Sequence, residues 1–115
     1  MNRLPRGTIE LSPSGCLEGP DLNELRTMLL DEAPTAAPRV LLNLAAVDRM
    51  DTAAMALIML ARIEIEAHGG ALVIENARPS VRSTMDHAGL DRFVTIADRR
   101  IDSLRELRDA AVAAA

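Results

Sequence analysis

Apolar residues occur along the chain in two patterns, short continuous runs and spacings of three and four residues. The continuous runs predict short strands at "GTIEL" (7–11), "VLLNL" (40–44), "ALVIE" (71–75) and "RFVTIA" (92–97), and "SPSG" is a turn that leads into a further short segment at "CLE" (16–18). Nearly continuous apolar runs of this length are typical of strands covered on both faces. The pattern therefore predicts about four to five strands.

The first two helices follow from helical spacing and its boundary residues. Gly19 and Pro20 open the first helix, since proline suits the first helical position, and its inward positions are Leu22, Leu25 and Leu29. The second helix runs from Thr52 to about His68 and is closed by Gly69 and Gly70, because glycine readily adopts the left-handed backbone that ends a helix.

Two further helices are predicted in the last third of the chain. The third begins at Pro79 or Ser80 and ends at Gly89, and its inward positions are Val81, Met85 and Ala88. The fourth begins at about Asp98 or Asp102, with one apolar stripe formed by Leu104, Leu107 and Ala111.

Along the chain, the predicted strands alternate with the predicted helices. This order predicts an α/β layer architecture with right-handed crossovers between parallel strands. The 115 residues fit one domain spanning 1–115.

Charge and composition exclude several classes of function. All 13 basic residues are arginine, and 17 acids leave a net charge of -4, which argues against binding to nucleic acid or to anionic lipid. The longest apolar run, "AAMALIMLA", is far shorter than the ~20 residues that cross a bilayer, so no direct membrane insertion is expected. The N-terminus lacks an apolar signal region, and the single Cys16 fits a reducing compartment. These features predict a soluble cytoplasmic protein.

The sequence offers no convincing site for catalysis, a metal or a cofactor. Glycine-rich phosphate loops and closely spaced Cys or His clusters are absent from it. Asp48 and Asp51 form a conceivable acid and base pair, but turn and helix-capping roles explain them better. His68 and His87 lie at predicted helix ends. The favoured role of each side chain there is to interact with the last carbonyls of the helix.

The second helix has two distinguishable faces. Its predicted core face consists of Ala54, Leu57, Ile58, Ala61 and Ile65. The opposite face, ending in the charged Arg62 and Glu66, consists of Thr52, Met55, Ala56 and Met59 and is more apolar than a structural helix needs. Methionine is common at surfaces that repack against partners, so this stripe predicts a docking surface. The alternative is that a neighbouring element covers both methionines.

Asp51 and Thr52 lie where this helix begins. Asp51 suits the capping position, because the first amides of a helix have no partner within it. A phosphate on Thr52 would add about -1.5 to -2 charges at the positive end of the helix, which the fold tolerates and an apolar partner does not. The alternative is that Thr52 is a simple helix-start hydroxyl.

The segment from Val40 to Asp98 resembles the STAS family, the fold of anti-sigma-factor antagonists. The shared features are an apolar strand, a loop, an Asp-Ser/Thr pair at a helix start, a Gly-Gly exit, another strand, a short helix and Gly-Leu. The resemblance implies a single-domain mixed β-sheet of about four to five strands packed with about four α-helices. The chain departs from the family's common Asp-Ser-Ser-Gly-Leu, since alanines follow Thr52.

The resemblance also implies a function and a set of site residues. The hydroxyl after the aspartate is phosphorylated in family antagonists by an anti-sigma factor that is a serine/threonine kinase, and this role falls on Thr52. The implied partner-binding residues are Glu18, Asp51, Thr52, Ala53, Met55, Ala56 and Met59. The second hypothesis is an accessory subunit that docks, without regulatory phosphorylation, on the ATPase subunit of a lipid ABC transporter or in a stress-signalling assembly. A homodimer is left open.

Overall fold

The computed structural model describes residues 2–4, 7–33 and 39–97, and these form seven strands and three α-helices, with short 3-10 and π-helical segments between them. In chain order the elements are β1 (Asn2–Leu4), β2 (Thr8–Leu11), β3 (Gly15–Leu17), α1 (Leu22–Arg26), β4 (Arg39–Asn43), β5 (Val47–Met50), α2 (Thr52–Ala67), β6 (Ala71–Glu75), α3 (Pro79–His87) and β7 (Thr95–Ala97). The predicted fourth helix lies outside the described residues.

Five of the strands form one mixed sheet in the order β1-β2-β4-β6-β7. The pairs β2-β4, β4-β6 and β6-β7 are parallel, whereas β1 is antiparallel to β2. The predicted α/β fold with a mixed sheet is therefore confirmed. The sequence did not predict β1, which covers the outer edge of β2.

A second, two-stranded sheet joins β3 to β5 in parallel. The short segment noted at 16–18 overlaps β3, whereas the sequence analysis placed Val47–Met50 in a loop. That strand has Asp48 and Arg49 exposed between the buried Val47 and Met50, so it shows neither a continuous apolar run nor strict alternation. Its position matters because β5 leads directly into α2.

The main core lies between the sheet and the helices. On β4, Val40 and Leu42 join this core, and Leu41 belongs to a smaller cluster with Val73 and Ala97, so β4 is buried on both faces as its continuous apolar run predicts. All five predicted core residues of α2 are buried: Ala54, Leu57, Ile58, Ala61 and Ile65.

The first helix is irregular. Gly19–Asp21 form a 3-10 turn with Pro20 near its start, α1 follows, and Thr27–Glu32 continue it as a π-helix. Leu25 and Leu29 are buried as predicted, and Leu22 is half-buried against the core.

The third helix confirms most of its prediction. Val81 and Met85 are buried, and Gly89 follows the helix with a φ of 75°, in the left-handed region that glycine adopts readily. Ala88 was predicted to face inward, but it is exposed, because the helix ends at His87. The strand predicted at 92–97 is also shorter, since Leu90–Arg92 form a 3-10 turn and β7 begins only at Thr95.

Two isoleucines on α2 provide a matched test of this packing. Ile65 is fully buried, whereas Ile63 is 58% exposed. We expect Ile65→Ala to lower the free energy of unfolding by about 2–5 kcal/mol, because it leaves a cavity in the core. Ile63→Ala should change it by less than about 0.5 kcal/mol. Urea titration of both variants measures the difference, and equal losses would contradict the assigned orientation of α2.

Candidate functional site

The N-terminus of α2 is capped by Asp51. Its backbone is extended, with φ -97° and ψ 177°, and its Oδ1 accepts a hydrogen bond of 2.8 Å from the amide of Ala54. This geometry satisfies one of the amides that have no partner within the helix. The capping role predicted for Asp51 is confirmed.

The same aspartate connects α2 to the end of β3. Asp51 Oδ2 accepts a hydrogen bond of 3.4 Å from the amide of Gly19, and the Asp51 amide donates one of 3.1 Å to the carbonyl of Leu17. Gly19 has a φ of 58°, a conformation that favours glycine. Glu18 lies between these two contacts in the chain and is therefore held beside the start of α2.

Arg49, which the sequence analysis did not identify, pairs with Glu18. Its Nη2 lies 3.3 Å from Glu18 Oε1 and 3.6 Å from Cys16 Sγ. The hydrogen bond to the Cys16 sulfur, followed by the charges of Cys16 and Glu18, raises the pKa of Arg49. Arg49, which is cationic like any arginine, gives the Glu18 carboxylate a nearby countercharge. Because both side chains are substantially exposed, the pair orients Glu18 more than it stabilises the fold.

Thr52 is the first residue of α2 and is exposed. Ala53 and Ala56 are also exposed, so small side chains surround the hydroxyl on the outer face of the first turns. The helix N-terminus favours negative charge, which means that the fold can accept a phosphate at this position.

The two methionines differ from the prediction. Met55 was expected to face solvent, but it is only 7% exposed and belongs to the main core. Met59 is half-buried and packs against the same core. The alternative, that neighbouring residues cover the methionines, is correct for Met55 because this position lies at the margin of the core face. The exposed apolar residues of α2 are instead Ala53, Ala56, Leu60, Ile63 and Ala67.

The other titratable candidates have structural roles. Asp48 Oδ1 lies 2.6 Å from Arg78 Nη1, and Arg78 also donates to the carbonyl of Ala45, so Asp48 holds the residue that precedes α3. The Nδ1 atoms of His68 and His87 each lie 2.8 Å from the carbonyl oxygen four residues earlier, which confirms their helix-end roles.

An open groove of about 700 Å³ borders the loop before β3, β3 itself and α1. Its lining includes Cys16 and Leu17, next to Glu18, and three carboxylates from Glu10, Asp21 and Glu24. Glu10 is buried, and its Oε2 accepts a hydrogen bond from the side-chain Nδ2 of Asn43. The groove therefore has two exposed carboxylates, Asp21 and Glu24, and Arg49 balances the charge of Glu18 beside it.

Within residues 2–4, 7–33 and 39–97, no three Cys, His, Asp or Glu side chains come together in a way that could hold a metal ion. In the same ranges, no helix is both long and apolar enough to cross a membrane.

Comparison with known proteins identifies the family. The sequence model of one protein family, the STAS domain, matches residues 6–103 of the chain. The chain belongs to the STAS domain family. No curated protein sequence matches it significantly.

Several solved structures share the fold at low sequence identity. One is a putative anti-sigma factor antagonist from Thermotoga maritima, with 20% identity, 92% of each chain covered and a TM-score of 0.83. Another is the Bacillus protein SpoIIAA in its phosphorylated form, with 20% identity, 93% of this chain and 96% of that chain covered, and a TM-score of 0.67. A sulfate transporter family protein from Wolinella succinogenes has 14% identity, coverages of 96% and 93%, and a TM-score of 0.76. These identities support the shared fold alone.

The contribution of the cap can be measured with two neighbouring aspartates. We expect Asp51→Ala to lower the free energy of unfolding by about 0.5–2 kcal/mol, because the Ala54 amide loses its acceptor. Asp51→Asn should retain most of that stability, since asparagine also caps helices well. Asp48→Ala is the control and should cost no more than about 1 kcal/mol, because its ion pair is exposed. Thermal and urea unfolding measure these changes. A free energy of unfolding that Asp51→Ala leaves unchanged would contradict the capping role.

Proposed function

We propose that this STAS domain is an anti-sigma-factor antagonist, a binding module without enzymatic activity that binds an anti-sigma factor serine/threonine kinase. Thr52 is the proposed phosphorylation site, and the partner contacts Glu18, Asp51, Thr52, Ala53 and Ala56, with Met59 at the edge. The exposed Thr52 hydroxyl at the capped start of α2 carries this proposal.

The surroundings of Thr52 suit access by a kinase. The hydroxyl is on the first turn of α2, and the exposed neighbours Ala53 and Ala56 are small enough for a partner's backbone to approach closely. Asp51 fixes this turn through its bond to the Ala54 amide, so the acceptor is presented in one backbone conformation. Little ordering would then be required when the partner binds.

Electrostatics provides the switch. A phosphate on Thr52 would bring about -1.5 to -2 charges next to the carboxylate of Asp51 and near Glu18. The unpaired amides and dipole of α2 offset this charge within the fold. At a docked interface the same dianion must lose water and meets nearby carboxylates, so binding weakens while the domain stays folded.

The acidic groove indicates the chemistry of the partner's complementary surface. Asp21 and Glu24 line this groove and are exposed, and Glu18 lies beside it. A partner with arginine or lysine side chains facing this groove would be attracted to it, and attraction of this kind accelerates association at low salt. The phosphorylated form of SpoIIAA, a protein of the same fold, is a precedent for phosphorylation on this fold.

The test combines the protein with its cognate anti-sigma kinase, magnesium and ATP. We expect intact-mass analysis to show one added phosphate on the native chain and on Thr52→Ser, and none on Thr52→Val, because only the hydroxyl accepts the group. Thr52→Glu should weaken the complex by at least about tenfold in calorimetry, since it adds an anion at the contact.

Thr84 provides the control for this experiment, because it is an exposed threonine on a different helix, α3. Thr84→Glu should leave the dissociation constant unchanged. A kinase that binds the native chain tightly but adds no phosphate to Thr52 would refute the proposed switch.

The second candidate function is an assembly subunit whose contact does not depend on phosphate. The similarity to a sulfate transporter family protein favours it, because that protein has the same fold in a different context. In this case Thr52→Ala and Thr52→Glu would bind the transporter ATPase or assembly partner alike. Ala56→Asp would still disrupt the complex, since it places a charge within the docking face.

A further inference from the structure

The outer face of α2 contains a continuous apolar seam that extends well beyond the Thr52 site. It consists of five exposed residues at alternating spacings of three and four: Ala53, Ala56, Leu60, Ile63 and Ala67. Leu60 is 52% exposed and Ile63 58%, and with Phe93 they are the large apolar side chains exposed in the part of the chain that the structure describes. A spacing of this kind is the seam of a two-helix coiled coil.

The titratable side chains that flank the seam have partners within α2 or at its end. Arg62 Nε lies 3.2 Å from Glu66 Oε1, and His68 Nδ1 lies 4.0 Å from Glu64 Oε2. The seam itself contains no charge. Covering it therefore leaves no buried charge that requires an opposite charge from a partner, which fits a surface that is itself apolar and neutral.

The order of side chains along the seam is self-complementary. From Ala56 to Ala67 the spacings are four, three and four, with large residues in the middle and alanines at both ends. This order is unchanged when the helix is reversed, as a twofold axis between Leu60 and Ile63 requires. We propose that the seam binds a second copy of this chain, through an antiparallel pairing of the two α2 helices.

The antiparallel arrangement sets the contacts. Leu60 faces Ile63 of the other copy, and Ala56 faces Ala67, so large residues fill the centre and small ones allow close approach at the ends. The positive end of each helix dipole lies beside the negative end of the other, whereas parallel helices would juxtapose like ends. The two Thr52 residues are then about 28 Å apart along the helices, at opposite ends of the pair.

The seam predicts weak association. It supplies five residues from each copy, whereas stable interfaces use about 20–30 residues a side. The pair should therefore form reversibly and depend on concentration. It requires neither phosphorylation nor an anti-sigma factor, although Ala53 and Ala56 belong both to the seam and to the proposed partner surface.

Sedimentation velocity of the full chain over a wide concentration range tests the pairing. We expect a monomer–dimer equilibrium that Ile63→Asp weakens by at least about tenfold, because it removes apolar burial and places a charge at the centre of the pair. Leu60→Gln should also weaken it. Phe93→Asp is the control, since it changes an exposed apolar residue outside the seam, and circular dichroism verifies that each variant is folded.

A dimer that survives Ile63→Asp and Leu60→Gln, or a chain that stays monomeric at millimolar concentration, would refute the proposal. Equal weakening by Phe93→Asp would also refute it, because the contact would then not be specific to α2.

Disulfide trapping tests the orientation, with Cys16→Ser as the background. Mixed oxidation of Ala56→Cys with Ala67→Cys should give a heterodimeric disulfide, because the antiparallel pair brings these positions together. Ala56→Cys alone should give little, since its two copies lie about 16 Å apart along the axis. Efficient trapping of Ala56→Cys with itself would show a parallel pair and overturn the proposed arrangement.

Discussion

The geometry of the candidate site depends on one carboxylate, that of Asp51. One oxygen accepts from the Ala54 amide at the start of α2, and the other accepts from the Gly19 amide after β3. The two amides belong to segments 35 residues apart in the chain, and the shared acceptor fixes the relation of Glu18 to Thr52. A negative group is favourable there because the first amides of a helix carry partial positive charge. The preference that stabilises the helix therefore also creates a position where a second anion is tolerated.

Helix α2 has apolar residues both toward the core and toward solvent. Its inward face is fully accounted for by packing, since Ile58, Ala61 and Ile65 have no exposed surface. A helix that covers a core on one side normally has a polar outer face, but Leu60 and Ile63 occupy that face here. Their burial in the monomer is incomplete, so they contribute little to its stability. Association with another surface is the physical process in which such side chains lower the free energy.

The sequence predicts the elements whose stability is local, but it does not predict those that depend on pairing with a distant strand. Apolar runs identify β4 and β6, and helical spacing with glycine exits identifies α2 and its boundaries. Strand β5 has charged residues at its centre and forms because β3 pairs with it, so the direction of Arg49 could not be predicted. Met55 lies at the margin of the core face, where burial depends on packing by other elements. A helical period contains no information about that packing.

The two proposed contacts of α2 share Ala53 and Ala56, but their centres lie at different distances from Thr52. At about 1.5 Å per residue, Ala56 lies about 6 Å along the axis from Thr52, whereas Ile63 lies about 16 Å away. The screening length at physiological salt is about 8 Å, so a phosphate on Thr52 acts strongly on the first turn and weakly on the centre of the seam. In the antiparallel pair, Thr52 also lies beyond the last seam residue of the other copy. A phosphate on Thr52 therefore acts on the partner contact at the start of the helix far more than on the pairing centred at Leu60 and Ile63.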